Sequence, residues 1–174
     1  MVIPTAPIRE VTGNYTSEEI HSWYDVYGNR DGSMSRAFMC SLMNQEEMRD
    51  SVRIITELVN QEVAVLNGAH DKVFIGGFSQ GCAMSLATFL LYKEGRLGGV
   101  LGLCGNYVTT IDYDTEVDLP LKRQTKIFLY HGEDDTNIYP DAAMKSYEEL
   151  KELKLDFTFD LEPGCGHHFS NTMI

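Results

Sequence analysis

The segment that most constrains the fold of this chain is Lys72-Val-Phe-Ile-Gly-Gly-Phe-Ser-Gln-Gly-Cys82, in which Ser79 stands between Gly77 and Gly81. A short apolar run from Val73 to Ile75 precedes the serine, and a long apolar helical pattern follows it. A serine at the apex of a strand–turn–helix unit is typical of a nucleophile elbow. The residues two positions away on either side must carry almost no side chain, and both are glycine. The pattern therefore predicts an exposed, nucleophilic hydroxyl with free helical N–H groups beside it.

The same residues allow another interpretation. A βα turn of a dinucleotide-binding fold also uses glycines, in that case only to permit close packing. However, Gly76-Gly-x-x-x-Gly81 lacks the G-x-G-x-x-G spacing of such sites. The spacing therefore counts against a dinucleotide site.

The periodicity of the remaining chain predicts a parallel α/β sheet. Residues 1–44 look irregular, with one short apolar turn around Trp23, and residues 106–122 look like a polar loop. A helix is predicted from Asn44, which forms a capping box with Glu47, to Gly68, and another helix begins at Pro140. Further strands are predicted at 100–103, 127–130 and 157–161. This order predicts one α/β domain over residues 1–174.

Composition limits the partners and the compartment. The net charge of −12 argues against binding to nucleic acid and against electrostatic docking on anionic lipid. No secretory signal or run of about 20 apolar residues is visible, so we expect no stable membrane insertion. The four cysteines are far apart in the sequence, which favours free thiols in a reducing cytoplasm over disulfides.

Two loops that follow predicted strands supply candidate partners for the serine. Glu133, Asp134 and Asp135 follow the third strand of the predicted sheet, and His167 and His168 follow the last. Catalytic groups of such sheets lie on the loops after the carboxyl ends of the strands. The chain order Ser, acid, His is that of α/β-hydrolases. The alternative, a metal site at the histidine pair and the neighbouring cysteine, is disfavoured because no second ligand pair has zinc-like spacing.

Four short motifs extend this pattern over nearly the whole chain. They are Ile3-Pro-Thr-Ala-Pro7 followed by Ser22-Trp-Tyr-Asp25, then Gly76-Gly-Phe-Ser-Gln-Gly81, His131-Gly132 with Asp135, and Gly164-Cys-Gly-His167. With these motifs the chain resembles the acyl-protein thioesterase, or lysophospholipase-like carboxylesterase, family of α/β-hydrolases. The resemblance implies an α/β-hydrolase fold with a mostly parallel sheet flanked by helices.

The resemblance also implies roles for individual residues. Ser79 would be the nucleophile, Asp135 the acid, His167 the base, and the backbone N–H of Gln80 one half of the oxyanion hole. Asp134 and His168 are the second choices. Trp23, Tyr107 and Val108 are candidates to hold an acyl chain, although core packing is an equally good use for them. No metal or organic cofactor is implied.

Two departures from the family pattern lead to further expectations. Family members begin earlier, with strands leading to a His-Gly-Gly-Gly or His-Gly-Leu-Gly type loop that donates the second oxyanion N–H, and they end in a helix after the histidine. We therefore expect a partial domain, from a truncated gene model or as a natural short form. It would lack the first strands and the final helix and leave an open sheet edge at Val73–Ile75.

The function expected from these features is hydrolysis of acyl thioesters or carboxylic esters through an acyl-enzyme, on an acylated protein or lipid. Protein depalmitoylation is the leading expectation. One alternative is a lysophospholipid or small-ester carboxylesterase, because the fold and the three residues do not define the acyl or leaving group. The other is a catalytically inactive binding protein of α/β-hydrolase type, because the oxyanion loop of the family pattern is missing.

Overall fold

The structure is a computed structural model that describes residues 1–13, 18–28, 35–168 and 170. Its centre is a parallel sheet of four strands in the order β3-β4-β5-β6, next to a separate two-stranded antiparallel sheet. The elements in chain order are β1 (Ile8–Val11), β2 (Glu18–His21), α1 (Arg36–Ser41), α2 (Gln45–Val65), β3 (Phe74–Phe78), α3 (Gln80–Leu91), β4 (Gly99–Leu103), α4 (Tyr113–Glu116), α5 (Leu119–Lys122), β5 (Ile127–Gly132), α6 (Pro140–Glu152) and β6 (Phe157–Glu162). The predicted parallel α/β architecture is confirmed.

The ends of α2 follow the predicted signals. The Asn44 side chain accepts a hydrogen bond from the Glu47 N–H at 3.1 Å, as expected for an N-cap. The Glu47 carboxylate does not complete the capping box and instead accepts the Asp25 N–H at 2.7 Å. At the other end, Gly68 has a φ of +83° and donates its N–H to the Val63 carbonyl at 2.9 Å, which closes the helix.

Two regions expected to be irregular contain regular structure. Strands β1 and β2 form an antiparallel hairpin, and α1 follows. The expected loop over residues 106–122 contains α4 and α5, capped by the Asp112 and Asp118 side chains. These elements have only four to six residues, too few for an apolar period to show in the sequence. Residues 169 and 171–174 lie outside the described part of the chain, so the expectation about a final helix stays a prediction.

One face of the sheet packs against helices to form the core. Helix α3 is buried from Cys82 to Leu90, and its side chains pack with those of α2, α6 and the strands. On the opposite face, Phe74, Leu101 and Phe128 are 72%, 42% and 38% exposed. In the described residues β3 pairs only with β4, so the expected open edge of β3 is present.

Candidate active site

Ser79 lies at the junction of β3 and α3 in a strained backbone conformation. Its φ of 55° and ψ of −117° are rare for a residue with a side chain. Hydrogen bonds hold this geometry, because the Ser79 N–H donates to the Leu103 carbonyl at 2.8 Å and the Cys82 N–H donates to the Ser79 carbonyl at 3.0 Å. A Cβ at Gly77 would lie 2.3 Å from the Gly81 carbonyl carbon, whereas a Cβ at Gly81 would have no atom within 4 Å. The steric requirement for glycine therefore applies to Gly77.

Asp135 lies in the loop after β5 and is 2% exposed. Its Oδ1 accepts the backbone N–H groups of Asn137 and Ile138, each at 2.9 Å. These bonds hold the carboxylate in one orientation and leave Oδ2 directed at the histidine loop. The neighbouring acids Glu133 and Asp134 are exposed.

His167 connects this carboxylate to the serine. Its Nδ1 lies 2.7 Å from Asp135 Oδ2, and its Nε2 lies 3.0 Å from Ser79 Oγ. A carboxylate only accepts, so Nδ1 carries the proton and Nε2 is left to accept the serine hydroxyl proton. This is the arrangement in which an imidazole can remove a proton from a serine. His168 is exposed and makes no such contact with its side chain among the described residues.

Close contact between two loops sets the position of His167. A Cβ at Gly132 would lie 2.3 Å from the Cys165 carbonyl oxygen and 2.4 Å from that of Gly166, so only glycine allows this approach. The Asp134 N–H donates to the Cys165 carbonyl at 2.8 Å. The Phe78 ring packs against the imidazole, with 4.8 Å between ring centroids. The site thus depends on side chains from β3 and from the loops after β5 and β6.

His131 is a contributor that the sequence reasoning missed. It is fully buried, and its Nε2 lies 2.8 Å from the Ile138 carbonyl and 3.1 Å from Asp135 Oδ2. Burial lowers the pKa of His131, which favours a neutral imidazole with its proton on Nε2. The His131-Gly132 dipeptide was visible as a motif, but no sequence signal indicated that this ring contacts Asp135.

The Gln80 side chain is a second contributor that no sequence signal indicates. Gln80 begins α3, where N–H groups have no intrahelical partner. Its amide group hydrogen-bonds to the segment Ser22–Tyr24. The Gln80 amide therefore joins the start of α3 to a distant segment near the N-terminus.

A cavity of about 640 Å³ opens beside Ser79 along β3. Most of its walls are apolar, and the lining includes Trp23, Ile55, Val59 and Met84. Tyr107 and Val108, the other two candidates for holding an acyl chain, are fully buried in the core and do not line this cavity.

Metal-binding clusters and membrane-spanning helices are two further features that the described residues could contain. None of their His, Cys, Asp and Glu side chains form a group of three or more that could hold a metal ion. The described helices include none with the length and apolarity needed to cross a bilayer. All four cysteines are buried and free, and burial raises the pKa of Cys82 to about 12 and that of Cys104 to about 11.

The sequence pattern of the phospholipase/carboxylesterase family matches residues 1–174. The chain belongs to this family. It is 34% identical over 160 residues to acyl-protein thioesterase 1 of Yarrowia lipolytica, covering 90% of this chain and 66% of that protein. It is 31% identical over 172 residues to carboxylesterase SOBER1 of Arabidopsis thaliana, covering 98% of this chain and 70% of the relative.

A solved structure confirms the predicted fold. The crystal structure of Arabidopsis thaliana SOBER1 superposes with a TM-score of 0.83 at 31% identity, covering 98% of this chain and 77% of the other. The phospholipase/carboxylesterase family and these relatives are serine hydrolases of the carboxylesterase and thioesterase type. The predicted family and α/β-hydrolase fold are therefore correct.

Proposed function

We propose that this chain is a serine hydrolase in which Ser79 is the nucleophile, His167 the general base and Asp135 the residue that orients the imidazole. The observation that carries the proposal is the pair of contacts made by His167, 3.0 Å to Ser79 Oγ and 2.7 Å to Asp135 Oδ2. Both lie within the hydrogen-bond distance that proton transfer requires. The strained backbone of Ser79 adds support, because such strain concentrates at active sites.

The reaction proceeds in two acyl transfers. His167 Nε2 takes the Ser79 hydroxyl proton as Oγ attacks the acyl carbon. The oxyanion of the tetrahedral intermediate accepts a hydrogen bond from the backbone N–H of Gln80. The bond to the leaving thiolate or alkoxide then breaks, and the leaving group takes the proton from His167. Water attacks the acyl-enzyme in the same way, which releases the carboxylic acid and restores Ser79.

The proposed substrate is a long-chain acyl thioester on a protein cysteine, such as a palmitoyl group. Two observations favour it over other esters: the relative from Yarrowia lipolytica is named an acyl-protein thioesterase, and the cavity beside Ser79 has a largely apolar lining. Its volume of about 640 Å³ lies in the range of sites that enclose small ligands. A lysophospholipid or small ester remains the alternative substrate. We further propose a reducing compartment such as the cytoplasm, which suits four free thiols.

A fluorophosphonate probe tests the catalytic proposal directly, because it reacts only with an activated serine. We expect labelling of the wild-type chain and none of Ser79→Ala, with circular dichroism to show that both are folded. Absence of labelling in folded wild-type protein would instead indicate a binding protein without turnover. Parallel assays with a palmitoyl-cysteine peptide, a lysophospholipid and p-nitrophenyl acetate then rank the substrate classes.

A further inference from the structure

Gln80 makes a set of contacts that its backbone role does not require. Its Oε1 accepts the Trp23 N–H at 2.8 Å, and its Nε2 donates to the Tyr24 carbonyl at 2.8 Å and to Ser22 Oγ at 3.0 Å. Both ends of the amide are therefore used on one short segment of the N-terminal region. The residue that follows the nucleophile thus holds the segment Ser22–Tyr24 against the start of α3.

Trp23 is the part of this segment that faces the reaction site. It lines the same cavity as Ser79, and it packs against the apolar cluster that contains Met84. Its backbone is held at both ends, because its N–H donates to Gln80 and its carbonyl accepts the Ser51 hydroxyl at 2.5 Å. The indole therefore forms a wall of the cavity whose position depends on hydrogen bonds from α2 and α3.

We propose that Gln80 is a positioning residue that sets acyl-chain selectivity by fixing Trp23 as this wall. Without the amide, the Trp23 N–H loses its acceptor within a partly buried region, and the segment moves to satisfy this group with water. The Tyr24 carbonyl keeps the Ser22 hydroxyl as a donor at 2.8 Å. An acetyl group ends near Ser79 and does not reach the wall, whereas a longer chain must pass along it. Loss of the Gln80 amide should therefore impair long-chain substrates more than short ones.

The inference takes its substrate from the proposed function, but its geometry can be tested without turnover. Trp23 is the only tryptophan of the chain, so fluorescence excited at the long-wavelength edge, where the nine tyrosines do not absorb, reports on this wall alone. We expect Gln80→Ala to shift the emission maximum to longer wavelength and to increase quenching by acrylamide. Failure of the proposed hydrolase activity would leave this measurement valid, so the two failures are distinguishable.

Gln45→Ala is the matched control. The Gln45 amide also clamps backbone groups, donating to the Cys40 and Val108 carbonyls and accepting the Thr110 N–H at 2.8–3.0 Å, but it does not contact the segment Ser22–Tyr24. We expect its Trp23 emission to match that of the wild type. An equal red shift in both variants, or none in Gln80→Ala, would overturn the proposal, since the amide would then not hold the wall specifically.

Kinetics supply the second readout. The ratio of kcat/KM for p-nitrophenyl octanoate to that for p-nitrophenyl acetate should fall about tenfold in Gln80→Ala. It should fall similarly in Trp23→Ala, and the two losses should not add in the double variant, because both remove the same wall. A uniform loss on both esters would contradict the inference. If Gln80→Ala does not fold, Gln80→Met keeps the length of the side chain, removes both ends of the amide and should shift emission and ratio in the same directions.

Discussion

His131 Nε2 lies 3.1 Å from Asp135 Oδ2, the same oxygen that lies 2.7 Å from Nδ1 of His167. One carboxylate oxygen thus faces two imidazoles, one fully buried and one open to the site. The pKa of His131 is lowered by burial, so this ring acts as a neutral hydrogen-bond donor. This donor adds a hydrogen bond that helps to hold the carboxylate in place beside His167.

Removing that donor should therefore lower the rate of hydrolysis. In His131→Ala the Asp135 carboxylate loses one hydrogen bond and is held less firmly against His167. We expect kcat to fall about tenfold with KM unchanged, the effect of one lost hydrogen bond to a charged group. His131→Gln places an amide donor near the former Nε2 and should restore kcat. Equal kcat values for both variants and the wild type would show that His131 serves packing alone.

The choice between neighbouring residues in each loop can be tested by paired substitutions. Asp135→Asn and His167→Ala should each lower kcat by about 10³-fold or more, because the imidazole loses its orientation or is absent. Asp134→Asn and His168→Ala alter exposed side chains and should retain most of the activity. Steady-state kinetics on one ester substrate decide the matter. Loss of activity in His168→Ala would show that His168, and not His167, is the base.

Gly77 and Gly81 should differ in their tolerance of alanine. A Cβ at Gly77 would lie 2.3 Å from backbone atoms of Gly81, so Gly77→Ala forces a backbone shift, at a cost of about 1–3 kcal/mol in the free energy of unfolding. At Gly81 a Cβ meets nothing within 4 Å, and alanine in a helix is favoured by up to about 1 kcal/mol. Urea denaturation of both variants measures the difference. Equal stabilities would contradict this view of the turn.

Lys122 should make stability depend on pH in the alkaline range. It is 2% exposed, donates to the Tyr92 carbonyl, and lies over the Phe89 ring at 5.2 Å. Burial lowers its pKa to about 8. Between about pH 8 and pH 10.4 the unfolded chain binds a proton that the folded chain does not, so stability rises with pH.

Burial also raises the pKa of the Cys82 and Cys104 thiols, which adds its own pH dependence to the stability. The comparison of the wild type with Lys122→Met isolates the effect of the lysine, because both proteins contain these thiols. The stability of the wild type relative to the variant should rise by up to about 1.4 kcal/mol per pH unit within this window. Below pH 8 the difference should be constant, because the amine is charged in both states. Lys151→Met, at an exposed position, controls for the loss of a lysine. A difference that does not change from pH 7 to pH 10 would refute the prediction.

The open edge and uncovered face of the sheet should promote self-association. Phe74 lies on the edge strand β3 and is 72% exposed, and it shares its face with Leu101 and Phe128. A charged residue on such an edge opposes pairing with another chain. Phe74→Lys should lower the associated fraction in analytical ultracentrifugation and reduce binding of the dye ANS. Val65→Lys, exposed at the end of α2, controls for added charge, and an equal effect there would contradict the role of the edge.

The sequence alone determined the local geometry around Ser79. Gly77, the apolar run before the serine and the helical pattern after it are short-range features, and each reflects a steric or packing requirement that the residue types express directly. The same holds for α2, where Asn44 and Gly68 mark the ends. The order of the serine, the acidic loop and the histidine loop was likewise readable, because it follows from the order of the strands.

Only the tertiary structure decided which neighbours face one another. Asp134 and Asp135, like His167 and His168, are equivalent as residue types, yet in each pair one lies at the site and the other is exposed. Which one turns inward depends on the close approach of two loops at Gly132, more than 30 residues from His167 in sequence. The contact of Gln80 with Trp23, 57 residues apart in the sequence, arises in the same way, since long-range packing leaves no period or spacing in the sequence.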